Sequence, residues 1–306
     1  AGGGLSGAGI GPLTALTGTA NPFAGVATSG FSAPAFIDLD GDGDLDLVSG
    51  RREVGLVAWT NIGTSETPSF SALSGTANPF ASLTFGLYAT PVFVDFDGDG
   101  DPDLVAGTKA GGILGFRNTG AGGFASFTAL SGTDNPFDGV HVGIVSQPDF
   151  NGNSAPAFMD LDGDGDLDLV SGAFDGRLLT WRNTGSATAP AFSFLSGSAN
   201  PFSAIDLANL SAPAFVDLDG DHDLDLVVAD VNGTFHAWGN TPTDGVASFA
   251  VLSGTANPLD GLFGEAGAKP AFADIDADGD LDLVAGNSAG TFVTWRNAGP
   301  TPRLNI

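Results

Sequence analysis

Asp38, Asp40, Asp42, Asp44 and Asp46 place five carboxylates on alternate positions, with Gly43 between the third and the fourth. Like charges this close repel, so a folded chain holds them only where something answers the charge. Hard divalent cations do so: calcium takes six to eight oxygen ligands in a flexible cage, and a glycine at the sixth position of such a loop permits the sharp turn around the ion. With Asp38 as position 1, the side chains at positions 1, 3, 5 and 9 are expected to ligate, and Asp44 at position 7 through its backbone carbonyl. An EF-hand closes with a bidentate Glu at position 12, but Ser49 stands there, so the loop is expected to sit in a β-hairpin. Magnesium prefers to keep its waters, and transition metals favour His or Cys.

The same stretch occurs four more times: Asp95, Asp97, Asp99, Asp101 and Asp103; Asp160, Asp162, Asp164, Asp166 and Asp168; Asp217, Asp219, Asp221, Asp223 and Asp225; Asp274, Asp276, Asp278, Asp280 and Asp282. A single Asp-Gly-rich stretch reads equally as a solvated turn, whereas five at fixed spacing do not. The first Asp recurs at intervals of 57, 65, 57 and 57 residues, and Asn-Pro-Phe/Leu (from Asn21, Asn78, Asn135, Asn200 and Asn257) at 57, 57, 65 and 57. One 57-residue unit therefore repeats five times, with a single eight-residue insertion within residues 138–155.

Each unit reads as four short strands. A Pro-x-Phe segment leads into the acidic loop, and Leu-Val follows it (Leu47 and Val48 in the first copy). A turn leads to a third strand carrying Trp59, Phe116, Trp181, Trp238 or Trp295, and the fourth is Phe-x-x-Leu. Repeats of this length with four strands predict β-propeller blades. The chain opens on a fourth-strand segment and ends after a third strand, so the N-terminal segment is expected to complete the last blade. The expected fold is an all-β, five-bladed propeller forming one domain over residues 1–306, with about 12–297 in the ring.

The run P-x-F-x-D-x-D-G-D-G-D-x-D-L-V resembles the FG-GAP/VCBS repeat family, whose similar calcium hairpins occur in integrin α-subunit propellers and in propeller lectins. The resemblance covers nearly the whole chain. It implies calcium ligation at positions 1, 3, 5, 7 (backbone) and 9 of each copy, and a recognition role. Two copies depart from the pattern: His222 replaces the position-6 Gly of the fourth, where a left-handed backbone is costly and weaker binding is expected, and Pro102 occupies position 8 of the second.

Composition narrows the function. The net charge is −27, which argues against a nucleic-acid partner. The five loops hold 25 of the 36 acidic residues, so the rest of the chain is nearly neutral. There are no cysteines and no apolar run long enough to span a membrane, and the first residues lack a signal-peptide pattern. Five structural calcium ions would need millimolar calcium, hence an extracellular, cell-surface or periplasmic setting.

Candidates for ligand contact are Trp59, Trp181, Trp238 and Trp295, although their fixed place in each unit fits packing between blades better. The Asn-Pro-Phe segments read as turns, not as docking motifs. The insertion, with His141, Gln147, Asp149 and Asn151 within or beside it, breaks the symmetry and is a candidate binding loop. Catalysis is not expected: His141, His222 and His236 form no recognisable arrangement, and nearly all acids are taken by the metal loops, whereas five-bladed glycosidases place acids at the central tunnel. The expected function is a non-enzymatic module recognising carbohydrate or a surface or matrix protein; the alternative is a structural block of a surface layer or appendage.

Overall fold

The computed structural model describes residues 9–121, 123–143, 152–207 and 209–299. Alternation of small and apolar residues, cut every few positions by Gly, Asn, Asp or Pro, produces twenty short strands separated by tight turns and single-turn 3₁₀ segments. Blade one comprises β2 (Ala33–Ile37), β3 (Asp46–Gly50), β4 (Leu56–Asn61) and β5 (Phe70–Ala72). Blade two holds β6 (Thr90–Val94), β7 (Asp103–Gly107), β8 (Ile113–Asn118) and β9 (Phe127–Ala129). Blade three holds β10 (Ala155–Met159), β11 (Asp168–Gly172), β12 (Leu178–Asn183) and β13 (Phe192–Leu195). Blade four holds β14 (Ala212–Val216), β15 (Asp225–Ala229), β16 (Phe235–Asn240) and β17 (Phe249–Leu252). Blade five has β18 (Lys269–Ala273), β19 (Asp282–Gly286) and β20 (Phe292–Asn297), and its fourth strand is β1 (Leu13–Leu16).

Every blade is a four-stranded antiparallel meander. The first strands neighbour one another in a closed circle, β2, β6, β10, β14, β18 and back to β2, so they line the axis of a five-bladed propeller. Their Pro-x-Phe segments wall the central tunnel. Each proline is the second residue of its strand; the inner strand is a sheet edge, where a missing N–H is tolerated.

The core lies between blades. Phe23, Phe80, Phe137, Phe202 and Leu259 of the Asn-Pro-Phe/Leu turns are fully buried plugs, and Phe23 stacks on Phe70 at 4.8 Å while touching Phe292 of blade five at 5.8 Å. The asparagine of the turn accepts the N–H two residues on (Asn78 Oδ1 from Phe80, 2.9 Å), a turn closed by its own side chain. After blades one, three and five the same asparagine also ties the turn to the third strand of the blade it follows, as Asn200 Nδ2 donates to Leu178 O at 2.9 Å. Trp59, Trp181 and Trp295 are buried in these inter-blade cores, and Trp238 is half-buried against one. Among the described residues no helix is long and apolar enough to cross a membrane.

Ring closure runs through β1, whose Leu13 pairs with Asn297 and Leu16 with Thr294. Gly11 N donates to Asn297 Oδ1 at 2.9 Å, and Ile10 N donates to Leu218 O of blade four at 2.9 Å. A chain lacking residues 1–17 should therefore melt on the order of 10 °C lower, since each kcal/mol lost from a domain of this size moves the midpoint by about 2–4 °C. An unchanged thermal melt by circular dichroism would show that the ring closes without this strand.

Candidate metal centres and the tunnel mouth

Each acidic loop joins the inner strand of a blade to the second. The first carboxylate shapes it: Asp38 Oδ1 accepts Gly41 N at 2.7 Å and Oδ2 accepts Gly43 N at 2.9 Å. Asp42 Oδ1 accepts Asp44 N at 2.9 Å. The ninth position is buried, and its carboxylate braces the hairpin: Asp46 Oδ1 accepts Asn61 N from the third strand at 2.7 Å, and Oδ2 accepts Leu39 N from the loop at 2.8 Å. Asp168, Asp225 and Asp282 repeat both bonds, and Asp103 repeats the first with Asn118 N at 2.7 Å.

These bonds turn the remaining carboxylates toward one point. Carboxylate oxygens of Asp38, Asp40 and Asp42 lie within 4.8 Å of one another, as do those of Asp95, Asp97 and Asp99 and of Asp160, Asp162 and Asp164. In the last two blades the trios are Asp217, Asp219 and Asp225, and Asp274, Asp276 and Asp282. Position 3 supplies the test of fit. Asp40 Oδ1, Asp97 Oδ1, Asp162 Oδ1 and Asp276 Oδ1 are buried and have no hydrogen-bond partner among the described residues; an unanswered buried anion is costly, and a cation would answer it. Each blade thus has an acidic cluster that could hold one metal ion. Position 7 (Asp44, Asp101, Asp166, Asp223 and Asp280) contributes no side chain to these clusters.

Three blades carry a partial answer that the repeat pattern did not reveal. Arg117 Nε lies 2.6 Å from Asp97 Oδ2 and Arg182 Nε 2.9 Å from Asp162 Oδ2, and Arg296 pairs with Asp276 in the same way. Thr60 and Gly239 occupy this place in blades one and four. There burial first, and then the neighbouring carboxylates, push Asp40 and Asp219 above the usual carboxylate range.

The two irregular loops keep the common turn. His222 adopts φ 76°, and its N–H donates to Asp217 Oδ2 at 3.0 Å, as the glycine does elsewhere. A Cβ at the equivalent Gly43, Gly100 and Gly165 would meet nothing within 4 Å, so the cost at His222 is conformational and not a clash. Blade five has a further departure, Ala277 at position 4 with φ 55°. There Asp274 Oδ1 accepts Asp278 N at 3.1 Å in place of the residue-277 N–H.

The tunnel opens on the opposite face, at the starts of the inner strands. A cavity of about 230 Å³ lies on the axis, and all five blades line it. Equivalent positions three residues before each proline bear Phe31, Tyr88, Asn153, Leu210 and Gly267, and all five have a left-handed backbone (φ 64°, 53°, 44°, 52° and 72°). That conformation strains a bulky residue and persists only where its surroundings over-determine it. Cross-blade bonds do so: Phe31 N to Ser288 O, Asn153 N to Lys109 O and Leu210 N to Phe174 O, each 3.0 Å. Phe31 and Tyr88 meet edge to face at 5.1 Å, and Lys109 Nζ sits 5.2 Å above the Tyr88 ring. Lys269, the first residue of the blade-five inner strand, is buried beneath this rim, with Thr90 and Ser154 also lining the cavity.

The insertion is now narrower. Val142 N bonds Gly111 O as Leu207 N bonds Gly176 O, and Asn153 matches Leu210, so the eight extra residues fall within 143–152. Gly152, at the end of this stretch, lies at the mouth, where its carbonyl accepts Phe174 N at 2.9 Å. Asp149 and Asn151, with Gln147, lie outside the described residues. His141 is half-buried and bridges to Gly112, and its Nδ1 has no hydrogen-bond partner among the described residues.

Residues 160–228, spanning the metal loops of blades three and four, match the FG-GAP-like repeat, and the same spacing runs through the whole propeller. No curated protein matches the chain. Two α-L-arabinofuranosidases share the ring: the catalytic domain of the GH62 enzyme of Coprinopsis cinerea (TM-score 0.53, 14% identity) and that of Podospora anserina, in complex with cellotriose (TM-score 0.52, 13% identity). In each pair the match covers 95% of this chain and 99% of the other. An Agrocybe aegerita lectin that recognises non-reducing terminal N-acetylglucosamine is similar over 88% of this chain and 66% of its own, at 17% identity and a TM-score of 0.42. The chain spans 11% of a Photorhabdus luminescens Tc holotoxin chain, with 86% of itself covered, at 19% identity and a TM-score of 0.37.

The two arabinofuranosidases overturn the expectation of a non-enzyme: a fold that enzymes share from end to end is no ground for excluding catalysis. The physical reason is topological. A propeller brings one residue from each blade to its axis, so a constellation there leaves no compact motif in the sequence.

Two measurements test the metal loops. Burial pushes Asp46, Asp168 and Asp225 up to about 6, and Asp103 and Asp282 up to about 7, against the pull of the backbone N–H bonds. These folded-state values lie above the unfolded value of about 3.9, so their contribution to stability is full in acid and is lost as pH rises through 6–7. In chelator, the melting temperature should therefore fall from pH 5 to pH 8, and a divalent cation should restore it at pH 8; a chelated protein whose melt ignores pH would contradict this. His222→Gly should raise stability by about 1 kcal/mol, or about 2–4 °C, by removing left-handed strain, and a lower melting temperature would count against the strain.

Proposed function

We propose that this propeller of FG-GAP-like repeats is a calcium-dependent carbohydrate-binding module that works outside the cell, with the metal loops holding the ring and the tunnel mouth receiving the sugar. Calcium suits the loops because the donors are carboxylates and carbonyl oxygens on a flexible turn. Loops of this kind bind with Kd on the order of 10⁻⁴–10⁻³ M in extracellular modules, so five sites would fill where calcium is millimolar. Five such sites at about ten times Kd would add roughly 7 kcal/mol.

The observation that carries the reading is the contrast between the two faces. At the metal end the five blades repeat almost the same residues, as a staple requires. At the mouth the equivalent positions differ in every blade, and four bear side chains held at a conformational cost. Strain retained where a cavity opens is the mark of a working surface. Phe31, Tyr88 and Phe174 offer aromatic surface for the apolar face of a sugar ring, with Asn153, Thr90 and Ser288 beside them as hydrogen-bonding groups. The two arabinofuranosidases, one of them holding cellotriose, are carbohydrate-handling proteins of the same fold.

A glycan array probed with the calcium-loaded protein and with the chelated protein tests this, with Tyr88→Gly alongside. Glycan binding should vanish in chelator. Tyr88→Gly should weaken it at least tenfold without lowering the melting temperature, because glycine accepts the left-handed backbone. Binding that survives Tyr88→Gly unchanged would move the site away from the mouth.

A further inference from the structure

The lysine beneath the rim breaks the fivefold pattern. At the first position of the inner strand the other blades have Ala33, Thr90, Ala155 and Ala212, whereas blade five has Lys269. Its side chain is 9% exposed and lines the axial cavity. Among the described residues it forms no ion pair, no carboxylate lines the cavity, and the second charged residue there is another cation, Lys109. A chain with a net charge of −27 thus has a cavity of positive sign on its axis.

An ammonium group removed from water without a counter-ion is costly. Burial alone accounts for its lowered pKa, about 8. Alanine, present in three other blades, would fill this position without that cost. The cavity leaves room for about eight water molecules, which suits one ring and not a bulky chain. Phe31 and Tyr88 form an apolar wall at its entrance.

We propose that the tunnel mouth takes an anionic sugar ring, bearing a carboxylate or a sulfate ester, with its charged group on Lys269 and its ring against the Phe31–Tyr88 wall. This rests on the carbohydrate-binding reading and specifies its ligand class. The ammonium is a point charge with rotatable donors, so it accepts either anion; the arms of the test separate them. Among the described residues the site has the features of an anion receptor: a buried cation without a partner, an apolar wall beside it and no carboxylate in its lining.

The test is calorimetric titration of the full chain at one fixed calcium concentration. The ligands are an oligogalacturonate, a sulfated galacto-oligosaccharide and a neutral galacto-oligosaccharide of equal length. The wild type should bind at least one anionic ligand ten or more times more tightly than the neutral one, and the better anion names the source of the charge. Lys269→Met, which removes a buried charge and keeps the side-chain length, should erase that preference; Lys269→Arg should keep part of it, and Lys109→Met should retain most. Equal affinity for anionic and neutral ligands, or a preference that survives Lys269→Met, overturns the assignment of Lys269. If neutral sugars bind at the mouth in a Tyr88-dependent way, that result leaves the carbohydrate reading intact. Absence of binding by all three ligands, joined to a blank glycan array, overturns both.

Discussion

In four of the five blades the carboxylate that opens the second strand accepts backbone N–H groups from two directions, the loop before it and the third strand beyond it. Asp46 does so with Leu39 and Asn61, at 2.8 and 2.7 Å. A buried, doubly bonded carboxylate fixes where the loop can run. It also leaves a negative charge beneath three or four others, a state that becomes comfortable only when a cation arrives or protons do. The third-strand asparagine extends the brace outward: Asn61 Oδ1 accepts Gly63 N and Ser69 N, holding the outer hairpin. Loop, strand and hairpin are thus one hydrogen-bonded unit, and the phenylalanine plugs pack these units side by side.

Much of this was legible because it repeats. Asp at alternate positions, Pro-x-Phe before it and Asn-Pro-Phe after the fourth strand mark the blade, and the order of parts at the two ends announces the closing strand. Spacing alone confined the insertion to residues 138–155. What escaped is of two kinds. Arg117, Arg182 and Arg296 pair with position 3 across three strands of a sheet, a contact that only the register reveals. Lys269 and the left-handed residues at the mouth sit where the copies disagree, and reading by common pattern discards what is not common. Ala277 was lost in the same way.

The two faces obey different constraints. A metal loop must satisfy its ion, so substitution is confined to positions such as 6, where a side chain has room and only the backbone objects. At the mouth the backbone is held by cross-blade N–H bonds that do not depend on the side chain. Phe31, Asn153 and Leu210 therefore share one main-chain geometry while presenting unrelated chemistry.

The pairing of Leu13–Leu16 with Phe292–Asn297 has a kinetic consequence. Blades one to four draw their strands from neighbouring sequence and can assemble as each emerges during synthesis. Blade five must wait for residues 286 positions apart to meet, and contacts so distant in sequence are slow to form because chain entropy is lost before they repay it. Until then the outer edge of β20 is open to pairing with any other strand, including the Leu13–Leu16 segment of a second chain. Dilute refolding should favour closed rings, and crowded refolding should favour chains that have exchanged their first strands.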